Sequence, residues 1–374
     1  MYSCSGKDSQ GVKANPIIPN KTAKSGQKIE STVHPSEFVH KYVFKRPKHV
    51  RGLYLTAWSA GSPTLREHLL AIVDRTELNS VVIDIRDLGQ MFFKTGIKLA
   101  DECHANKIAV PRPAGLFASL EKHGVWPIAR IACFKDVFVP IVHPELAVQL
   151  KGGKLWKDRN GKTWLDPYNK KNWAYIAETV EYALNVGFPE IQLDYVRFPS
   201  EGKSATQIFP ARGEYAKKGE LNEDVISAFA KYIGEKVHSR GAVFSADVFG
   251  IISSSKGDQG IGQQLEKVAA PFDVLSPMVY PSHFAAGEYG IADPNRSPYE
   301  IIKKSLDDYK KRLPNVHIRP WLQDFSLHGV PYGVSEVKAQ IKATRDVGYQ
   351  SFLLWNAKNK YTEAAVAKKR AGSD

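Results

Sequence analysis

Five aspartates lie where a strand-like run gives way to a loop: Asp84 and Asp87 in SVVIDIRD, Asp194 in EIQLDYVRFPS, Asp247 in VFSADVFG and Asp324 in IRPWLQDF. An ionised carboxylate is costly in an apolar interior unless it is paired, so acids repeated at one end of several strands point to a polar rim. Two carboxyl groups flanking a glycosidic bond suffice to hydrolyse it, one as nucleophile or base and one as acid. Retention needs them about 5 to 5.5 Å apart and inversion about 6.5 to 9.5 Å. Asp194 and Asp247 fall on consecutive strands and form the natural pair. Other groups near the same rim suit a sugar: Trp58, Tyr195, Tyr280, Trp321 and Trp355 for stacking, Arg86 and Arg197 for positioning. Each has a plainer reading, because an acid can cap a helix, an aromatic ring can fill the core, and Arg197 can make a structural ion pair.

The elements that would position these groups are organised around residues 190–200. Side chains alternate along a strand, so Ile191, Leu193 and Tyr195 share one face and Gln192, Asp194 and Val196 the other. Gly187-Phe188-Pro189 stops a helix just upstream, and Phe198-Pro199-Ser200 opens a loop, which leaves Asp194 at the end of the strand. The same alternation of strand and helix runs through the chain from Val50. Strands are expected over residues 50–58, 80–87, 126–134, 190–198, 243–250, 273–281, 318–325 and 351–357. Helices are expected over 63–75, 114–123, 172–187, 222–240, 297–312 and 335–348. Eight such units predict a single (β/α)8 TIM barrel over residues 50–374, with its chemistry at the C-terminal rim of the strands. The first turn, Ser59-Ala60-Gly61-Ser62, lacks the spacing of a dinucleotide fingerprint, so no Rossmann cofactor is implied.

Two connections are long. Residues 135–171 carry Asn160-Gly161 between short strand-prone runs, which predicts an inserted β-hairpin after the third strand. Its Trp156 and Trp164 could stack on sugars or hold the hairpin together. Residues 199–219, after the fourth strand, are a second candidate wall for a cleft.

The composition, 43% hydrophobic and 24% charged over 374 residues, is ordinary for a globular protein. No apolar run approaches the roughly 18 residues of a membrane span. Cys4, Cys103 and Cys133 share no metal-ligand spacing, so neither a metal site nor a disulfide framework is expected. Residues 1–49 hold nine Lys or Arg against three Asp or Glu and read as a flexible basic tail, which takes a large share of the net charge of +13. The remainder is spread over the barrel without a basic helix or RNA-binding signature. No nucleic-acid partner is expected, and a polyanionic substrate stays open. Cys4 followed by Ser5 and Gly6 resembles the start of a processed lipoprotein, which would give an envelope location and a lipid tether; a plain disordered start, in a secreted or cytoplasmic protein, is the alternative.

The runs RGLYLTAW (51–58), VIDIRD (82–87), LDYVRFP (193–199), SADVFG (245–250) and SPMVYP (276–281) are similar to those of a bacterial glycosyl hydrolase family, domain of unknown function 4015, distantly related to α-amylase-type barrels. The resemblance implies Asp194 as nucleophile, Asp247 as acid/base, Asp324 as transition-state stabiliser, and a retaining route. Asp247 stands where the amylase pattern has a glutamate, which leaves Glu288, in the loop after the sixth strand, as an alternative acid. The expected activity is hydrolysis or transglycosylation of a polysaccharide by a monomer. Asp84, Arg86, Tyr195, Arg197, Tyr280, Trp321, Trp58 and Trp355 would bind substrate, and no metal or organic cofactor is required. Two rivals stand beside it: a non-catalytic carbohydrate-binding barrel, and an aldolase or phosphosugar enzyme using Lys135 as a Schiff base. The second is disfavoured because residues 356–360 hold no glycine for a phosphate loop.

Overall fold

The alternating runs close into a barrel. The computed structural model describes residues 42–368. Its eight parallel strands are β1 (Arg51–Leu55), β2 (Ser80–Asp87), β3 (Trp126–Ala132), β4 (Glu190–Asp194), β5 (Val243–Phe249), β6 (Val274–Met278), β7 (Trp321–Gln323) and β8 (Phe352–Trp355). Each pairs with its neighbours in chain order, and β1 pairs with both β2 and β8, which closes the ring. Besides short extra turns, the last helix in each of the first seven connections is α1 (Pro63–Arg75), α2 (Pro113–Lys122), α3 (Lys170–Val186), α4 (Asn222–His238), the short α5 (Leu265–Ala269), α6 (Pro298–Arg312) and α7 (Val334–Val347). After β8 the described residues carry a single 3-10 turn, Glu363–Ala365, in place of the eighth helix.

Period-2 alternation sorts the residues of each strand. Val82, Trp126, Ile128, Val243, Val274, Trp321 and Leu353 pack inside the barrel, while Ile83, Ile131, Ile191, Leu193, Phe244, Ala246 and Leu354 pack outward in the helix layer. Glu190, Gln192 and Asp194 of β4 therefore point inward.

Four expectations change. β1 ends at Leu55 because the Thr56 hydroxyl caps a short helix, Ala57–Gly61, through the Ser59 N–H. Two further strands, Gln90–Phe93 and Asn106–Val110, extend the sheet beyond β2. Residues 42–49, expected in the flexible tail, are seated on the barrel: Tyr42 stacks on Phe117 of α2 and donates to the Ala114 carbonyl. The rest of the expected tail, with Cys4, lies outside the described residues. The insertion after β3 makes isolated bridges, Lys135 with Trp164, Ala147 with Leu165 and Gln149 with Leu155, where a regular hairpin was expected.

Candidate active site

Above the apolar inner layer, the C-terminal end of the barrel is charged. Arg130, inward on β3, donates from Nε (3.0 Å) and Nη2 (2.5 Å) to Asp194 Oδ2 and from Nη1 to Asp84 Oδ1 (2.6 Å). Asp87 is a third, looser partner at 3.3 Å. The other Asp194 oxygen accepts from the N–H of Tyr195 (2.6 Å). One buried guanidinium thus fixes Asp194 from the neighbouring strand.

Asp247, on β5, lies across the β4–β5 ladder, in which Leu193 pairs with Ala246. Its Oδ1 accepts from Gln192 Nε2 (2.5 Å) and Trp321 Nε1 (2.6 Å), while its Oδ2 has no hydrogen-bond partner among the described residues. Burial, reinforced by the negative charge of Asp194, raises the Asp247 pKa well above the carboxylate range, against the opposing pull of Arg130 and the Trp321 N–H. The surroundings of Asp247 therefore favour its protonated form.

Both groups line a cavity of about 570 Å³ together with Arg130, Tyr195, Arg197, Tyr280, Trp321 and Trp355. Trp355 stands edge-on to Trp321 and stacks on Tyr54, whose hydroxyl donates to Asp84 (2.5 Å). Tyr195 breaks the strand alternation with a φ of +48°, a left-handed conformation unusual for a bulky residue, and reaches the cavity although it follows inward-pointing Asp194. Lys135, Asn160 and Lys162 of the insertion form part of one wall, with Glu201 from the loop after β4. Phe249, Ile251, Met278, His283 and Phe284 add a largely apolar stretch, which meets the charged wall where Phe249 packs on Arg197 (4.5 Å). Burial, helped by His328, lowers the His283 pKa to about 4, so its imidazole is neutral.

A family model described as "Putative glycosyl hydrolase domain", domain of unknown function 4015, matches residues 52–361. The chain belongs to this family. It is a glycosyl hydrolase-type TIM barrel, and the first two of the similar solved structures that follow share its fold. The PgaB (BpsB) glycoside hydrolase domain from Bordetella bronchiseptica is 13% identical, with a TM-score of 0.62 over 86% of this chain and 100% of that one. The α-galactosidase TtGalA from Thermus thermophilus is 14% identical, with a TM-score of 0.51 over 85% of this chain and 60% of that one. A hypothetical protein from Ruminiclostridium thermocellum ATCC 27405 is 35% identical over 52% of this chain and 97% of that one, with a TM-score of 0.47. No curated protein matches the chain.

Seven residues expected at the site of this family member meet in one cavity: Asp194, Asp247, Tyr195, Arg197, Tyr280, Trp321 and Trp355. Asp84 sits behind them with both oxygens taken by Arg130 and Tyr54, so it holds Arg130 instead of binding substrate. Arg86 points to the outer face. Asp84 pairs with Arg130 and Arg86 with Ile131, so two β2 residues are spent per β3 step and a bulge reverses the facing of everything after Ile85. Arg86 then donates to Asp136 (2.5 Å) and to the Cys133 carbonyl (2.8 Å), and Asp87 turns toward Arg130 in its place.

Trp58 is carried outward on the short helix after β1 and lies 49% exposed beside Phe92. Asp324 is outside the cavity lining, its oxygens accepting from the N–H (2.8 Å) and hydroxyl (2.6 Å) of Thr362. Glu288 lies in a 3-10 turn outside the lining, against Ser254 (3.4 Å). Trp156 and Trp164 are buried, so they hold the insertion together and present no stacking face. Lys135 is engaged by Asp158 at 3.1 Å. Arg197 lines the cavity while making an ion pair with Glu201 (2.8 Å), so the work of holding Asp194 is not its own. That task falls to Arg130, which the inward parity of Trp126 and Ile128 could have revealed; Glu201 and His283 carry no comparable signal.

Proposed function

We propose that this barrel hydrolyses or transglycosylates a polysaccharide through the pair Asp194 and Asp247. The observation that carries the proposal is the unequal hydrogen bonding of two carboxyl groups on adjacent strands of one cavity: both Asp194 oxygens have donors, whereas Asp247 keeps Oδ2 open. Two donors converge on Asp247 Oδ1, which assigns its proton to Oδ2, the oxygen without a protein partner. Asp247 is then the general acid that protonates the leaving oxygen, and afterwards the base that activates water. Asp194, its charge answered by Arg130, is the nucleophile toward the anomeric carbon, and the retaining route follows the α-amylase likeness. Partly exposed Trp355 and Tyr195 on the lining offer aromatic surface for sugar rings, while buried Trp321 serves through its N–H to Asp247. Asp324 takes no part, because Thr362 occupies its carboxylate.

The test is release of reducing ends from neutral, acidic and amino-sugar polysaccharides by wild type, Asp194→Asn and Asp247→Asn. Cleavage by wild type that falls by about 10²- to 10⁴-fold in both variants supports the pair. A second reading, a non-catalytic carbohydrate-binding barrel, draws on the fact that both oxygens of Asp194 already have donors within the protein. Binding of one polysaccharide by all three proteins without cleavage by any would establish that reading and end the first.

A further inference from the structure

We propose that the substrate of this site is an acidic glycan, whose anionic substituent lies against the wall built by the insertion after β3. This rests on the glycan-binding reading of the cavity but not on its catalytic step.

The two loops that form that wall, residues 133–169 and 195–221, hold eleven Lys or Arg against seven Asp or Glu. They are stitched into one body: Gln149 and Ile208 exchange backbone hydrogen bonds, and the Arg159 N–H donates to the Glu201 carbonyl. The charges lining the cavity are not equally answered. Asp247 is held by Gln192 and Trp321, Asp194 by Arg130, Glu201 by Arg197, and Lys135 by Asp158. Lys162 is left as a half-buried ammonium on the lining with no ion pair among the described residues. Exposed Lys151, Lys154, Lys157 and Lys203 of the same two loops likewise have none among the described residues, and add to the positive charge of these loops. A cleft lined partly by charged and partly by apolar side chains focuses that potential on whatever enters. A sugar ring against Phe249 and Phe284 with an anionic group toward Lys162 satisfies both parts of the lining, whereas a neutral glycan leaves the ammonium without a partner and an amino sugar is repelled by it.

The experiment uses the full chain carrying Asp247→Asn, so that ligands are not consumed. Its binding to an oligogalacturonate, a sulfated oligosaccharide, a cello-oligosaccharide and a chitosan oligomer of matched length is measured by calorimetry at low and high salt. An acidic ligand is expected to bind tightest, its advantage shrinking with salt, and the carboxylated and sulfated arms identify which anion is read. Adding Lys162→Gln should cut the ratio of acidic to neutral affinity about three- to fivefold, and adding Lys162→Arg should preserve it. Equal or tighter binding of the neutral or cationic ligand overturns the proposal, as does a Lys162→Gln protein that loses affinity for acidic and neutral chains alike. Cleavage of a neutral polysaccharide by wild type, with no preference for acidic chains, would remove this inference and leave the glycosidase reading standing. Selective binding of an acidic chain that wild type does not cleave would do the reverse.

Discussion

Glu190 and Asp194 lie four residues apart on β4, both buried, both inward and each facing one arginine, Arg319 from the segment just before β7 and Arg130 from β3. Glu190, at the N-terminal end of the barrel, accepts from Arg319 (2.5 Å), Ser245 (2.8 Å) and Trp126 (2.8 Å), so both of its oxygens are engaged. Burial alone would raise its pKa, yet Arg319 and the two neutral donors outweigh burial and hold Glu190 below the ordinary carboxylate range. At the C-terminal end the charge is divided instead. Arg130 serves three aspartates, and the fourth acid, Asp247, has a raised pKa and one open oxygen beside a cavity. The same ingredients make a closed structural pair at one end and an acid poised for transfer at the other. What separates them is whether the donors suffice for every oxygen.

Isosteric amides break this comparison most sharply. Asp247→Asn keeps an acceptor at Oδ1 and replaces a hydroxyl by an amide, so folding should be little changed while activity falls about 10²- to 10⁴-fold. Glu190→Gln turns an acceptor into a donor facing Trp126 or Arg319 and strands a buried guanidinium. It should cost about 3 to 5 kcal/mol in urea unfolding, with the turnover of the surviving folded protein within a few-fold of wild type. A destabilised Asp247→Asn beside an unaffected Glu190→Gln would reverse the assignment of the two ends.

The two ends also respond to pH with opposite sign. Glu190 has a lowered pKa in the folded state, so its contribution is present above the unfolded value and is lost as pH falls through the folded one. Asp84 is pushed up to about 6, first by burial and then by Asp87, against Arg130. The folded protein therefore holds that proton more tightly than the unfolded chain, and stability declines as pH rises from about 4 to about 6. With about 1.4 kcal/mol per pKa unit, this decline is at most about 3 kcal/mol. Asp84→Asn should flatten the slope in that window in denaturant titrations, and Glu190→Gln should leave that window unchanged while reducing the loss of stability in stronger acid. Activity should fall on the alkaline side as Asp247 loses its proton.

How far the sequence reached follows from the same local physics. Strand period 2 was enough to close the barrel and to bring Asp194, Asp247, Trp321 and Trp355 to one rim, and applied to residues 126–130 it also points Arg130 inward. The period fails where the backbone steps out of it. The bulge at Ile85 exchanges Arg86 for Asp87, and the left-handed Tyr195 swings a side chain back into the cavity. Thr56, three residues before Ser59 and seven before Pro63, is a helix-start signal that competes with a strand run continued to Trp58. Trp156 and Trp164 are equally consistent with core and with sugar faces, because composition does not reveal which side of a long loop is covered.

The smallest expected effect lies at Asp324, where the α-amylase likeness and the geometry disagree. Its carboxylate accepts from the Thr362 N–H and hydroxyl and ties β7 to the loop after β8, away from the cavity. In Asp324→Asn the amide oxygen can still accept from the Thr362 N–H, and the Thr362 hydroxyl can rotate to accept from the new NH2. Both hydrogen bonds survive in altered polarity, so the cost should be no more than about 1 kcal/mol, with kcat within a factor of about two to three of wild type. Asp324→Ala leaves the Thr362 N–H without its acceptor and should cost about 1 to 3 kcal/mol, read as a lowered midpoint of thermal unfolding, again with kcat nearly intact. A hundredfold loss of kcat in Asp324→Asn at unchanged stability would mean that this acid reaches the sugar during turnover. The closed and open ends of the barrel would then no longer be distinguished by the donors around each acid.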